Sequence, residues 1–255
     1  MQEQSTGYVK SEKHGMMMSI EFYHPQSNSL PSVLLNALSD QIQEAGFDAE
    51  IRVIVLRSWG EKAFCAGASF AELSKINSSS QGEEFFNGFA HVINSMRKCP
   101  KFIIARIHGK CVGGGVGIAA AADYTIAVTG AEIKLSELEI GIGPFVVGPV
   151  VERKLGLSAF SQLALDASSW RTAEWAKTRG LYSEVHTTLQ DLDDSLQRLV
   201  HHLSHSSTQA IREIKKMLWH DTSHWDQLLA ERAKISGSLV ITPMAQQAIA
   251  LFNKA

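Results

Sequence analysis

The 255-residue chain has little cysteine and almost no net charge. Its three cysteines, at positions 65, 99 and 111, are odd in number and widely spaced, which argues against a disulfide framework and against a zinc site. A reducing cytoplasm is therefore the expected compartment. The formal net charge of −2 gives no electrostatic attraction towards nucleic acid or an anionic membrane, so we expect neither as a partner.

Long apolar runs are also absent. The longest unbroken stretch of glycine and apolar residues runs from Val112 to Ala122, which at 11 residues is too short to cross a bilayer. Residues 1–15 have no apolar core, so we expect a tail or an edge strand there and no secretory signal. The composition, 45% apolar and 20% charged, is that of a soluble globular protein with a sizeable core.

Two kinds of pattern divide the chain. Up to Gly156, apolar β-branched runs such as residues 51–58 and 101–109 predict buried strands, and they alternate with stretches of helical period. Residues 157–255 have helical patterns almost throughout. Such an order predicts an α/β fold, with a layered, mostly parallel core over residues 16–195 and a helical region over residues 196–255.

The stretch "KCVGGGVGIAAAADYTIA", residues 110–127, allows three interpretations. Gly115, Gly117 and Ala120 match the G-x-G-x-x-A pattern of dinucleotide-binding loops, and Glu137 lies at the distance of a ribose-binding carboxylate. The small residues can instead serve only the close packing of a helix on a sheet. The third interpretation is an oxyanion site, because a sharp strand-to-helix turn leaves N–H groups free at the positive end of the helix dipole.

An oxyanion site needs a second donor, and an earlier turn provides a candidate. In "FCAGASFAEL", residues 64–73, the tight turn at Ala66 and Gly67 exposes the N–H of Ala68. The pair of turns resembles that of the crotonase, or enoyl-CoA hydratase/isomerase, superfamily. The resemblance extends over residues 16–254 and includes four further segments, "HPQSNSLP", "IRVIVLRSWGEKAFCAG", "KLSELEIGI" and "TAEWAKTRGLYSEV".

The resemblance implies a ββα spiral core with trimerising C-terminal helices, assembled as a homotrimer or hexamer. It implies an acyl-CoA thioester as substrate, with coenzyme A as part of that substrate and no separate cofactor. The thioester oxygen would lie between the N–H groups of Ala68 and Gly114. The remaining substrate contacts implied by position are Lys62, Ala66, Gly67, Ser69, Phe70, Gly113, Gly117, Pro144, Phe145, Phe252 and Lys254, the last two often reaching coenzyme A of a neighbouring subunit.

The sequence keeps one of the two glutamates that hold water in hydratases of this family. The first belongs three residues after Gly114, where this chain has Gly117, and the second corresponds to Glu137. Hydration uses a base for the water and an acid for C2, whereas a double-bond shift needs a single base and an oxyanion hole. We therefore favour isomerase-like chemistry, with hydration, thioester cleavage, decarboxylation and non-catalytic acyl-CoA binding as alternatives.

Three further features of the sequence bear on this choice. In an extended segment Glu139 would share a face with Glu137 and restore a second carboxylate, although a solvent-facing or ion-paired Glu139 is the simpler expectation. Pro144, Phe145 and Val146 predict an apolar wall that raises a nearby carboxyl pKa and disfavours hydration. Ser69 replaces an aspartate found in many relatives, so any role of that aspartate is missing here.

Other chemistry-bearing residues have ordinary explanations. His201 and His205 have the spacing of a metal-binding pair, but no nearby cysteine or glutamate completes a site. Cys65 lacks an activating histidine and is expected to be a buried filler. Trp219 and Trp225 are expected to pack within helices or between subunits.

Overall fold

The computed structural model describes residues 7–252, without the side chain of Phe252. The strands within that range are β1 (Tyr8–His14), β2 (Met17–Tyr23), β3 (Val53–Ser58), β4 (Ala63–Cys65), β5 (Phe102–Ile107), β6 (Lys110–Val112), β7 (Tyr124–Val128), β8 (Ile133–Lys134) and β9 (Glu184–His186). The α-helices are α1 (Ser32–Phe47), α2 (Phe70–Leu73), α3 (Ser79–Lys98), α4 (Gly114–Ala121), α5 (Gly148–Leu155), α6 (Leu157–Leu165), α7 (Ala173–Thr178), α8 (Leu189–Ser204), α9 (Thr208–Leu218), α10 (Trp225–Val240) and α11 (Pro243–Phe252).

The strands form two sheets. The larger has the order β1-β2-β3-β5-β7-β9, in which β1 and β2 are an antiparallel hairpin and all other pairs are parallel. The smaller has the order β4-β6-β8 and is parallel throughout. Parallel neighbours cannot be joined by tight turns, so every crossover carries a helix or a long loop, which accounts for the alternating pattern of the first half.

The central strands are apolar because both of their faces are covered. Successive residues of a strand point to opposite faces, and Ile54 and Val55 on β3 and Ile103 and Ile104 on β5 are all at most 2% exposed. Strands buried on both sides are near-continuous apolar runs, which is why the sequence identifies them easily. None of the helices in residues 7–252 combines the length and apolar character that crossing a membrane requires.

Two elements do not follow from the local sequence pattern. Residues 157–255 are not helical throughout, because β9 adds the sixth strand of the large sheet beside β7. Three residues are too few for a period-2 pattern to stand out from the helical patterns on either side. The serine-rich segment before residue 83 also begins a helix: Ser78 accepts a hydrogen bond from the N–H of Gln81 and so caps α3.

Two sets of contacts hold the C-terminal helices α9 and α10 against the core. Helix α10 lies in backbone contact with α3, where a Cβ added to Gly82 would be 2.7 Å from the Cα of Gly237. Helix α9 is held by Asp123, which accepts hydrogen bonds from Lys215 Nζ (2.5 Å) and Trp219 Nε1 (3.1 Å). Asp123 comes two residues after the end of α4. Its hydrogen bonds therefore connect the glycine-rich segment to the helical region.

Candidate active site

The smaller sheet brings three chain segments to one edge. Strands β4, β6 and β8 are parallel neighbours, with Cys65 opposite Cys111 and Val112 opposite Lys134. The residues that follow each strand therefore emerge on the same side. These are the turn at residues 66–68, the turn at residues 113–114 and the segment at residues 136–137. All three line a narrow cleft of about 50 Å³ that opens to solvent.

The first turn presents a free backbone donor. Gly67 has φ of +85°, a conformation that glycine adopts without strain, and its carbonyl accepts a hydrogen bond from Leu30 N (2.8 Å). On the other side of Ala68, the N–H of Ser69 donates to the Leu30 carbonyl (3.3 Å). The N–H of Ala68 itself has no acceptor within the described part of the chain. The hydrogen bonds of Gly67 and Ser69 thus hold the turn in place, while the N–H of Ala68 stays available to a ligand.

The second turn places another donor beside the first. Gly113 has φ of +51° and precedes α4, so Gly114 provides the first N–H group of that helix. This N–H also has no acceptor among residues 7–252, as expected at a helix N-terminus. A Cβ added to Gly67 would lie 3.3 Å from the Gly114 nitrogen and 2.8 Å from the Val112 carbonyl oxygen. The two turns are therefore in direct contact, and glycine at position 67 makes that contact possible.

Glu137 is the carboxylate of the cleft. It begins a 3₁₀-helical turn, Glu137–Ile140, and its carboxyl group lies over Gly113: a Cβ there would be 3.1 Å from Glu137 Oε1. The Oε2 atom is buried and has no hydrogen-bond partner in the described structure. Burial raises the pKa of this carboxyl from 4.5 to about 7, although a contact with its own backbone N–H acts in the opposite direction. The group is thus poised to exchange a proton near neutral pH.

Val147 occupies the space that a side chain at position 117 would need. A Cβ added to Gly117 would lie 2.7 Å from the Cβ of Val147, closer than real Cβ atoms approach. Gly117 is buried and does not line the cleft, whereas Val147 does. A larger side chain at position 117 therefore requires Val147 to move or to be replaced.

Glu139 does not supply the missing group. The expectation of a shared face with Glu137 assumed an extended segment, but residues 137–140 form a 3₁₀-helical turn that points the two side chains in different directions. Glu139 instead makes an ion pair with Lys134 (2.7 Å). The simpler expectation for Glu139 is confirmed.

The rest of the cleft is apolar. Phe89 lies against the second turn, since a Cβ added to Gly114 would be 2.7 Å from its Cζ atom. Ser136, Glu137 and Ser236 have the polar side chains among the described lining residues. The others are Ala66, Gly67, Ala68, Phe70, Leu73, Phe86, Phe89, Val112, Gly113, Gly114, Ile140, Ile142, Gly143, Pro144, Phe145, Val146 and Val147.

The structure assembles most but not all of the sequence-predicted site. Ala68, Gly114 and Glu137 meet in the cleft, together with Ala66, Gly67, Phe70, Gly113, Pro144 and Phe145. Lys62 lies outside it, in a shallow depression beside His24 and Trp59. Ser69 is buried beneath the first turn and makes no side-chain cap to α2. Lys254 and the side chain of Phe252 lie outside the described residues.

Sequence reasoning missed the residues that support the turns. Asn28 donates from Nδ2 to the carbonyl oxygens of Trp59 (2.7 Å) and Ala63 (2.8 Å), which fixes the approach to the first turn. Glu72 accepts hydrogen bonds from the N–H and hydroxyl of Ser32 and so joins α2 to α1. The "QSNSLP" segment and the isolated Glu72 carry no pattern that reveals a partner 30 to 40 residues away in the chain.

The remaining candidates have structural roles. Burial raises the pKa of Cys65 to about 12, so the reactive thiolate is disfavoured. The His201 and His205 rings stack on each other at the surface, and no group of three or more His, Cys, Asp or Glu in the described chain is arranged to hold a metal. Gly115 packs on the Cys65 carbonyl and Gly117 on Val147, so the glycines of the dinucleotide pattern face protein.

Comparison with known proteins identifies the family to which this sequence is similar. The sequence model of the family described as enoyl-CoA hydratase/isomerase matches residues 12–248. Mouse mitochondrial methylglutaconyl-CoA hydratase is 33% identical over 172 residues, which are 67% of this chain and 54% of that protein. A short-chain-enoyl-CoA hydratase of Clostridium acetobutylicum is 30% identical over 176 residues, 68% of this chain and 67% of that protein. The chain spans about half the length of the mammalian relatives it matches.

The solved structures agree on the architecture. An enoyl-CoA hydratase from Bacillus halodurans superposes with a TM-score of 0.88 at 23% identity, covering 96% of this chain and 99% of that one. The crotonase-like α/β fold with a helical C-terminal region, predicted from the sequence, is thereby confirmed. On the family match and the relatives together, the chain belongs to the enoyl-CoA hydratase/isomerase family.

Proposed function

We propose that the chain is an acyl-CoA enzyme that shifts the double bond of an enoyl thioester, with Glu137 as its single proton-transfer group. The observation that carries this proposal is the count of carboxylates in the cleft. Glu137 is the one carboxylate among the described lining residues, and the place of the other is covered by Val147. A 1,3 shift needs one base that returns the proton it removes.

The proposed reaction has two proton transfers. The ionised carboxylate of Glu137 removes a proton from C2 of a 3-enoyl thioester, and the C–H electrons form a dienolate with its charge on the thioester oxygen. The N–H groups of Ala68 and Gly114 stabilise that oxyanion, and each such donor typically contributes about 10²–10³ in rate. The protonated Glu137 then donates to C4, the C2–C3 double bond forms, and the carbonyl is restored.

The walls of the cleft favour this reaction over water addition. Hydration needs a water molecule held in place above the double bond, and two carboxylates share that task in hydratases of the family. Here Oε2 of Glu137 has no hydrogen-bond partner among the described residues, and Phe145, Val146 and Val147 line the same cleft. A water molecule there would have too few partners to be well ordered.

Hydration of a 2-enoyl thioester is the second candidate. The relatives named above are hydratases, and one carboxylate can in principle act as base and acid in turn. A non-catalytic acyl-CoA-binding protein is the third, because the family's first glutamate is absent. Retention of Glu137 with a raised pKa favours an enzyme over this third candidate.

We further propose that coenzyme A lies along residues 62–70 and that the chain assembles as a homotrimer or hexamer. Exposed apolar side chains on the 3₁₀-helical turn and on α11 support an assembly, since Leu138, Met244 and Leu251 are each more than half exposed. Exposed apolar surface of this kind is common where subunits meet.

The test compares two substrates with matched variants. Purified protein receives 3-hexenoyl-CoA or 2-hexenoyl-CoA. Liquid chromatography separates the two double-bond isomers, and mass spectrometry identifies a product heavier by one water. We expect isomerisation of the 3-enoyl ester, its loss in Glu137→Gln, and near-normal activity in Glu139→Gln, which changes a neighbouring surface carboxylate. Water addition as the main reaction supports the hydratase, and binding without turnover of either ester supports the binding protein.

A further inference from the structure

The cleft contains almost no charge. Glu137 is its one ionisable group among the described lining residues; lysine, arginine and histidine are absent from that set. The Phe70, Phe86, Phe89 and Phe145 side chains, with aliphatic neighbours, make up most of the wall. Whatever part of a ligand extends past the oxyanion site therefore meets apolar surface.

Cations on neighbouring elements are held elsewhere. Lys134, on the strand that leads to Glu137, pairs with Glu139 at 2.7 Å. Arg97, on the helix that carries Phe86 and Phe89, donates to the Thr222 carbonyl and to Asp226. Each of these groups has partners outside the cleft, so neither is free to turn inward.

We propose that the acyl site selects uncharged acyl groups and rejects those that end in a carboxylate. This inference rests on the proposed acyl-CoA function and specifies its substrate class. A carboxylate brought into the cleft would leave water, find no cation in the described wall, and face the negative charge of Glu137. Removing an ion from water without a partner is strongly unfavourable, and a like charge nearby adds to the cost.

Ser236 defines what the site accepts besides hydrocarbon. It lies on α10, is 1% exposed, and its hydroxyl has no hydrogen-bond partner among the described residues. Buried hydroxyl groups normally have a partner. A single neutral donor can serve a hydroxyl or carbonyl oxygen on the acyl chain, but it does not replace the cation that a carboxylate needs.

The test uses binding of unreactive esters, so it does not depend on which reaction the enzyme performs. Calorimetry on the full chain compares hexanoyl-CoA, 6-hydroxyhexanoyl-CoA and adipoyl-CoA, which share a chain length and differ in their last group. We expect adipoyl-CoA to bind at least roughly 100-fold more weakly than hexanoyl-CoA. The hydroxy ester should bind within about tenfold of hexanoyl-CoA and lose affinity in Ser236→Ala, because one neutral hydrogen bond contributes little more.

One variant separates the two causes, the missing cation and the repulsion by Glu137. In Glu137→Gln the repulsion is removed but the missing cation is not restored, so adipoyl-CoA should remain at least about tenfold weaker. Parity of the two esters in the unaltered protein, tighter binding of adipoyl-CoA, or parity in Glu137→Gln would overturn the inference. If none of the three esters binds, the proposed acyl-CoA function fails instead, which is a distinguishable result.

Discussion

At the residue scale, Glu137 carries a carboxyl group whose ionised form the surrounding protein solvates poorly. The turn that begins with it, the buried Oε2 atom and the adjacent Gly113 leave no donor for the negative charge among the described side chains. The same lack of solvation that makes the group a useful base near pH 7 makes the folded protein less stable once the group ionises.

Glu137→Gln should therefore stabilise the protein at high pH. The folded pKa, about 7, lies above the ordinary value of 4.5, so the destabilisation is absent below pH 4.5, grows as pH rises and is complete above pH 7. The shift corresponds to no more than roughly 3 kcal/mol, and solvent that enters the cleft reduces it. Urea unfolding at pH 5 and pH 8 checks this, with Glu139→Gln as control. A gain in stability equal at both pH values would contradict the prediction.

The contact between Gly117 and Val147 leads to a second prediction at this scale. Gly117→Glu alone should destabilise the protein, because the new Cβ would overlap Val147. Gly117→Glu combined with Val147→Gly clears that space and should add hydration of 2-enoyl-CoA at least tenfold above the unaltered chain. Product mass and unfolding curves are the measurements, with Val147→Gly as the matched control. A folded double variant that gains no hydration would show that a second carboxylate is not what the cleft lacks.

At the element scale, three short parallel strands determine where the site lies. Strands β4, β6 and β8 have three, three and two residues, and the functional groups follow their carboxyl ends. Both proposed oxyanion donors are main-chain atoms placed by turns. A change of backbone chemistry therefore tests them more directly than a change of side chain.

Ala68→Pro removes one donor and keeps a similar side-chain volume. Since the N–H of Ala68 has no acceptor within the described chain, its loss breaks no recorded hydrogen bond. We expect kcat to fall about 10²–10³-fold on 3-enoyl-CoA, the usual effect of losing one oxyanion donor. Ala68→Gly keeps the N–H and should retain most activity. Circular dichroism and a thermal melt establish that the proline variant is folded; unchanged kcat in a folded variant would remove Ala68 from the mechanism.

The sequence predicts elements well where their pattern is long. The apolar runs of β3 and β5 and the helical period of α1 and α3 are visible because each has six or more residues. Strand β9 has three, and local pattern cannot distinguish it from the ends of the helices around it. The 3₁₀-helical turn at residues 137–140 has four residues and is not visible in the sequence for the same reason.

The candidate site also contains residues that the sequence predicts and residues that it does not. Ala68, Gly114 and Glu137 are found from sequence because their motifs lie next to the turns that position them. Val147 reaches the cleft from the residue before α5, Ser236 reaches it from α10, and Phe89 packs on Gly114 from α3. Those contacts depend on tertiary packing, which one sequence does not encode in any local pattern.

At the scale of the whole molecule, Asp123 joins the core to the helical region. It pairs with Lys215 at 2.5 Å, both side chains being 4% exposed, and it also accepts hydrogen bonds from the N–H of Ile103 and from Trp219. Lys154 donates to the carbonyl of the preceding Ala122. One aspartate thus connects β5, α4, α5 and α9.

Asp123→Ala should destabilise the protein by roughly 3–5 kcal/mol, because it leaves Lys215 buried without its partner. Asp123→Ala combined with Lys215→Met removes both charges and should recover much of that loss. Urea unfolding of the three proteins measures the free energies, and Lys216→Met, which changes a surface lysine on the same helix, is the control. Equal losses in the single and double variants would show that the ion pair is not what Asp123 contributes.

The construction of the oxyanion turns from main-chain atoms has a consequence for how such a chain tolerates genetic drift. Any residue other than proline that keeps the local backbone path preserves the N–H groups at positions 68 and 114. Substitutions there are therefore limited by whether the new side chain fits, and not by its chemistry. Position 137 has no such redundancy, because the reaction proposed here depends on one side chain. Lineages descended from this protein can therefore lose the proposed activity in a single step while the fold and the two turns persist.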